Sequence, residues 1–184
     1  MESINNDLVK GGSGRIGDML VFRQRGGKTF IAKRPIRKSD QVSEKQLNVR
    51  ERFIEAVIYA KAVVNDEAKK AIYQLKANAS QSAYNLALSD FCKAPQIKRV
   101  AIDEYQGRPG DKILIRATDD FMVNAVQVRI IGADNAEIET GQAVLSDNGL
   151  DWVYTAKVLS SDAVSVFVSV FDLPGNTTAR EVEL

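Results

Sequence analysis

Val164-Ser165-Val166-Phe167-Val168-Ser169-Val170-Phe171-Asp172-Leu173-Pro174-Gly175-Asn176 is the stretch that decides the fold. Valine recurs at 164, 166, 168 and 170, with Ser165, Phe167 and Ser169 between. A period of two sends one set of side chains to a buried face and the other outward, which is the signature of a half-buried β-strand. Pro174, Gly175 and Asn176 then supply turn chemistry, and residues 177–183 return as the next strand. Working back toward Gln96, Val126, Val128 and Ile130 alternate with Gln127 and Arg129 in the same way. Strands are expected at 98–102, 112–117, 123–131, 137–143, 151–158, 165–171 and 177–183. Short strands at regular spacing make a small β-sandwich over residues 96–184. Trp152, the only tryptophan, is expected in the core or between the sheets.

Residues 41–95 read as a helical region. Ser43-Glu44-Lys45-Gln46 is a capping box, in which the serine accepts an amide hydrogen bond and the glutamine reaches back. Leu47, Ile54, Val57, Ile58 and Val64 follow near helical spacing. Asn65-Asp66 is a break and a new N-cap. A second helix is expected to about Asn78, with Ala68, Ile72, Leu75 and Ala79 on one face. Ser80 or Ser82 caps a third, carrying Tyr84, Leu88 and Phe91, and Ala94-Pro95 closes it. Cys92 is expected as a buried filler on the apolar face of that helix.

Residues 1–40 read as a Gly-rich basic arm ending in a β-hairpin. Residues 1–15 are polar and expected to be extended or mobile. Residues 18–25 and 28–34 are β-favouring, and Gly26-Gly27 between them permits the positive φ angles of a tight hairpin turn. Pro35 ends the hairpin. A lone hairpin is marginal in water, so it needs something to pack on.

The pieces Ala117-Thr118-Asp119-Asp120-Phe121, the Val-rich strand after it, Ile138-Glu139-Thr140-Gly141, Trp152-Val153-Tyr154-Thr155 and Asp172-Leu173-Pro174-Gly175-Asn176 together resemble bacterial immunoglobulin-like domains over roughly residues 98–184. The resemblance implies a spacer, an adhesive module or a decoration on a bacterial surface or phage particle. The cysteine pair of antibody domains is absent. The N-terminal Gly14-Arg15-Ile16-Gly17-Asp18 segment, with Lys33-Arg34-Pro35, is loosely similar to uncharacterised Bacteroidota and phage-associated proteins. The expected fold class is therefore α+β in several parts: a hairpin arm, a short helical unit and an immunoglobulin-like sandwich.

Charge is unevenly spread. Residues 1–52 carry 12 Lys/Arg against 6 Asp/Glu, whereas residues 99–184 carry 7 against 14. A basic head and an acidic tail can attract each other between molecules, or can simply be two solvated faces. The chain has no histidine, which removes Ser–His–Asp and Cys–His nucleophile systems and most transition-metal sites. With a single cysteine it has no internal disulfide and no thiolate cluster. Gly12-Ser13-Gly14-Arg15-Ile16-Gly17 spells a phosphate-loop pattern, but a strand rather than a helix is expected after it, so no helix N-terminus faces a phosphate. No catalytic residues and no small-molecule substrate are assigned, and the chain is not expected to be an enzyme. The N-terminus lacks a signal-peptide pattern and no apolar run reaches the roughly 18–20 residues of a membrane span. Cytoplasmic synthesis is expected, with a particle-associated or non-classically exported state left open.

One ligand idea comes from the carboxylates. In an immunoglobulin-like sandwich the loop after the second strand and the loop before the last share an end. That places Asp119 and Asp120 near Asp172 and Asn176, oxygen donors of the kind calcium takes. Ordinary turn chemistry, in which Asp and Asn bond their own backbone, is the alternative. No other cofactor is expected. The leading functional expectation is a structural subunit forming homo-oligomers, filaments or rings through its arm, by strand pairing and charge. The contact residues would be Met19, Val21, Phe22, Arg23, Arg25, Phe30, Lys33 and Arg34. The alternatives are a nucleic-acid-associated protein, whose basic set would add Lys28, Arg37 and Lys38, and a monomeric surface-binding module.

Overall fold

Gly26 and Gly27 adopt φ of 56° and 73°, the left-handed pair that a two-residue hairpin turn requires. They join β3 (Leu20–Arg25) to β4 (Lys28–Lys33), paired from Leu20 opposite Lys33 to Arg25 opposite Lys28. The computed structural model describes residues 2–4, 9–34, 43–78 and 81–184, with the backbone alone for 2–4. Pro35, Arg37, Lys38, Ala79 and Ser80 lie outside the described residues. The chain divides into two units, Met1–Arg50 and Glu51–Leu184.

In the first unit the hairpin is not alone, contrary to the expectation of an extended arm. β1 (Glu2–Ile4) pairs with β4, and β2 (Gly14–Ile16) pairs with β3, giving an antiparallel sheet in the order β1-β4-β3-β2. A two-stranded hairpin leaves the outer amides and carbonyls of both strands unpaired, and short flanking strands fill them. Buried Thr29 pins the connecting loop, its hydroxyl accepting from the Gly11 amide at 3.0 Å and from the Gln24 side chain at 2.8 Å.

From Glu51 the second unit holds the greater part of a long helix that begins at Glu44, two further helices and two more sheets. α1 (Glu44–Asn65) opens with the expected capping box, Ser43 Oγ accepting from the Gln46 amide at 3.3 Å. α2 (Glu67–Lys76) is capped by Asp66, and α3 (Ala83–Cys92) by Ser82. The buried faces differ from those expected. α1 buries Ala56, Ala60 and Val63, while Leu47, Ile54 and Ile58 are exposed on the opposite side. α2 buries Tyr73 and leaves Leu75 86% exposed. Ala60 and Val63 face the cluster that holds Tyr73, Ala83, Ala87 and Phe121, so the side of α1 that packs is set by where that cluster lies and not by the count of large apolar side chains. Cys92 is exposed rather than buried, because it ends α3 where the helix turns toward β5.

β5 (Gln96–Ala101), β6 (Lys112–Thr118), β10 (Asp151–Thr155) and β9 (Val144–Leu145) form one sheet in that order. β12 (Thr177–Glu183), β11 (Ala163–Asp172), β7 (Val123–Gly132) and β8 (Glu137–Gln142) form the other. Ile113, Ile115 and Tyr154 from the first and Val126, Val128, Ile130, Val166, Val168 and Val170 from the second share one buried core. The protein is thus mixed α+β with a β-rich majority. Trp152 is partly buried against this core. A bulge between Ala163 and Ser165 flips the start of β11, so Val164 faces outward and Ser165 is buried, against the simple alternation. Phe167, outward as expected, is covered by the Arg129 guanidinium at 4.5 Å from its ring centre. Among the described residues no helix is long and apolar enough to cross a membrane.

Candidate functional site

Two loops of the sandwich reach into the helices. Phe121 and Met122 follow β6, Leu173 follows β11, and all three join Ala60, Val63, Tyr73, Ala83 and Ala87 in a second core. Phe121 stacks on Tyr73 at 4.3 Å between ring centres. This seam positions three carboxylates. Oxygens of Asp90, Asp119 and Asp172 lie within 4.8 Å of one another.

Each carboxylate is oriented by its own element. Asp119 Oδ2 caps the loop after β6, accepting from the Phe121 amide at 2.9 Å and the Met122 amide at 3.0 Å. Asp172 Oδ1 accepts from the Gly175 amide at 2.8 Å and the Asn176 amide at 2.6 Å, closing the turn between β11 and β12. Asp90, on α3, accepts at Oδ2 from the Tyr73 hydroxyl at 2.5 Å, and Tyr73 lies 3.0 Å from the Tyr59 hydroxyl. Asp90 Oδ1 and Asp119 Oδ1 are buried with no hydrogen-bond partner among the described residues.

Burial pushes the Asp90 carboxyl up to about 7, opposed by the Tyr73 hydrogen bond and reinforced by the charges of Asp119 and Asp172 and by a proton that Asp90 can share with Asp119. Burial also raises Asp172, while the Asn176 side chain and the backbone amides of Asn176 and Gly175 pull it back. The nearby cations are turned elsewhere. Arg52 donates to Phe91 O and to Asn176 Oδ1, Lys76 to Phe121 O, and Lys93 pairs with Asp120. Chemically the cluster can share a proton between carboxyls or hold a hard cation.

The carboxylates expected from the sequence are only half assembled here. Asp119 and Asp172 meet, as shared loop geometry requires. Asp120 does not join them, because it points to the surface and pairs with Lys93. Asn176 is a clasp rather than an oxygen ligand. Its amide nitrogen donates to Asp172 Oδ2 at 2.7 Å and to the Phe91 and Lys93 carbonyls at 3.2 Å, while its oxygen accepts from Arg52. Asp90 was absent from the expected set. A lone acid in a helix carries no spacing signal that links it to two distant loops.

The residues expected at a self-assembly surface fall on two faces of the N-terminal sheet. Cross-strand register places Val21, Arg23, Arg25, Lys28, Phe30 and Arg15 together on one face. Phe22 and Lys33 lie on the other, with Leu20 and Ile31. Met19 is 77% exposed in the turn before β3, and Arg34 pairs with Asp18.

No protein-family model matches the sequence, and no curated protein does. Among solved structures, the chain is similar to surface layer protein SbsC, domains 1-6, with 17% identity and a TM-score of 0.32. The match covers 77% of this chain and 22% of that one. A superposition that loose defines neither a common fold nor a common role.

Proposed function

We propose that this chain is a non-enzymatic structural subunit that self-associates, its N-terminal sheet docking on the sandwich of a neighbouring copy. The observation that carries the proposal is the face bearing Arg15, Arg23, Arg25 and Lys28, a cationic surface with Val21 and Phe30 among the charges. It complements the acid excess of residues 99–184, where 14 Asp/Glu stand against 7 Lys/Arg. Because donor and acceptor surfaces differ, the contact is head-to-tail and propagates as a filament or closes as a ring. The three-residue outer strands β1 and β2 add edges to which another strand can pair.

The sandwich serves in this reading as an immunoglobulin-like spacer. Lettered A to G with C′ after C, its sheets run A-B-E-D and G-F-C-C′. That order supports the immunoglobulin-like assignment.

Light scattering of the full chain tests the proposal. Assemblies are expected at low salt that dissolve as salt rises, with Arg23→Glu/Arg25→Glu remaining monomeric and folded by circular dichroism. A wild-type chain that stays monomeric at high concentration and low salt overturns it. If that monomer shifts single-stranded nucleic acid in a salt-dependent manner, and the double variant does not, the basic face binds phosphates with Phe30 as a stacking platform.

A further inference from the structure

The seam between helices and sandwich contains an electrostatic problem that the assembly proposal leaves untouched. Three carboxylates converge, Asp90 is only 2% exposed, and its Oδ1 and Asp119 Oδ1 receive no hydrogen bond among the described residues. A buried acceptor without a donor is costly, and a buried charge without a counter-charge more so. Arg52, Lys76 and Lys93 all approach this region, yet each donates to another group.

We propose that Asp90, Asp119 and Asp172 bind a hard divalent cation of the calcium type, which fastens the helices to the two sandwich loops. Calcium takes oxygen ligands at about 2.3–2.6 Å, so oxygens facing each other across it stand roughly 5 Å apart, and a cluster confined to 4.8 Å fits that sphere. Backbone amides hold Asp119 and Asp172 by one oxygen each, which fixes the carboxylate planes before the ion arrives. Asp90, alone of the three, also borders an open cleft of about 480 Å³, together with Gln81, Ser89, Phe121, Lys76 and Lys93. A single shared proton would satisfy the two orphan oxygens but would leave the rest of the cluster's negative charge without a counter-ion.

Terbium luminescence on the full chain provides the test. Tb³⁺ replaces Ca²⁺ at oxygen sites, and Tyr73, hydrogen-bonded to Asp90, is placed to sensitise it. Tyrosine excitation is expected to give Tb³⁺ emission that Ca²⁺ displaces and an equal ionic strength of K⁺ does not. Saturating Ca²⁺ is expected to raise Tm by roughly 5–10 °C over EDTA. Asp90→Asn and, separately, Asp119→Asn should abolish both responses, while Asp120→Asn, altering only the surface pair with Lys93, should retain them. Absence of sensitised emission with a Tm identical in Ca²⁺ and EDTA overturns the proposal and leaves the shared proton. Responses that survive Asp90→Asn and Asp119→Asn also overturn it.

Discussion

Glu139 is buried, and three donors depend on it. Its Oε1 accepts from the Tyr154 hydroxyl at 2.7 Å and the Lys157 amide at 2.8 Å, and its Oε2 from the Val158 amide at 3.2 Å. Glu139→Ala is expected to cost about 2–4 kcal/mol in urea unfolding, because three buried or half-buried donors lose their acceptor together. Gly141 belongs to the same constellation. A Cβ there would sit 2.9 Å from the Tyr154 ring, so Gly141→Ala should push the ring off Glu139 and lower stability in the same assay. A different carboxylate contributes to the acid limb. Arg116 and Asn148 hydrogen bonds hold Asp151 down to about 2, below its ordinary value near 3.8. A group depressed in the folded state contributes stability that is complete above the unfolded value and lost as pH falls through the folded one. The stability lost between about pH 4 and pH 2 should therefore shrink in Asp151→Asn, read as Tm against pH.

At the scale of elements, α1 presents two apolar stripes of opposite character. The stripe that packs is Ala56, Ala60 and Val63, and the stripe that does not is Leu47, Ile54 and Ile58. Val63→Ala is expected to cost about 1–3 kcal/mol. Ile54→Gln with Ile58→Gln should leave the unfolding free energy of the monomer within about 0.5 kcal/mol per site. Denaturant curves of the two variants side by side check the assignment of faces. The same contrast explains what was legible in the sequence. Strands could be read because a period of two in Val166, Val168 and Val170 reports burial directly, and the strand expected at 177–183 matches β12 residue for residue. Helix limits could be read from Ser43, Asp66 and Ser82, whose side chains cap real amides. On α3, Tyr84 and Leu88 pack against the helical core as expected, but the packed faces of α1 and α2 could not be read, since alanine says little about burial while leucine and isoleucine attract attention. β9, two residues long, and the outer strands of the first sheet were invisible because their pairing partners, not their own composition, create them. Asp119 and Asp172 were legible through loop geometry, whereas Asp90 required the helix to be docked.

For the whole molecule, the route of the chain through the sandwich matters as much as its contents. The Thr178 hydroxyl donates to Pro95 O at 2.6 Å, so the residue that precedes β5 lies beside the beginning of β12. β12 then runs seven residues, about 23 Å, to the far end, where the Leu184 amide still bonds Val164 O at 3.0 Å. Entry and exit therefore stand at opposite poles. Tension applied between the helical side and the C-terminal end would pull β12 lengthwise along β11. All the rungs from Ser165–Glu183 to Phe171–Thr177 would then have to slip at once, rather than peel one by one. Under such a load the β11–β12 pair resists by shear.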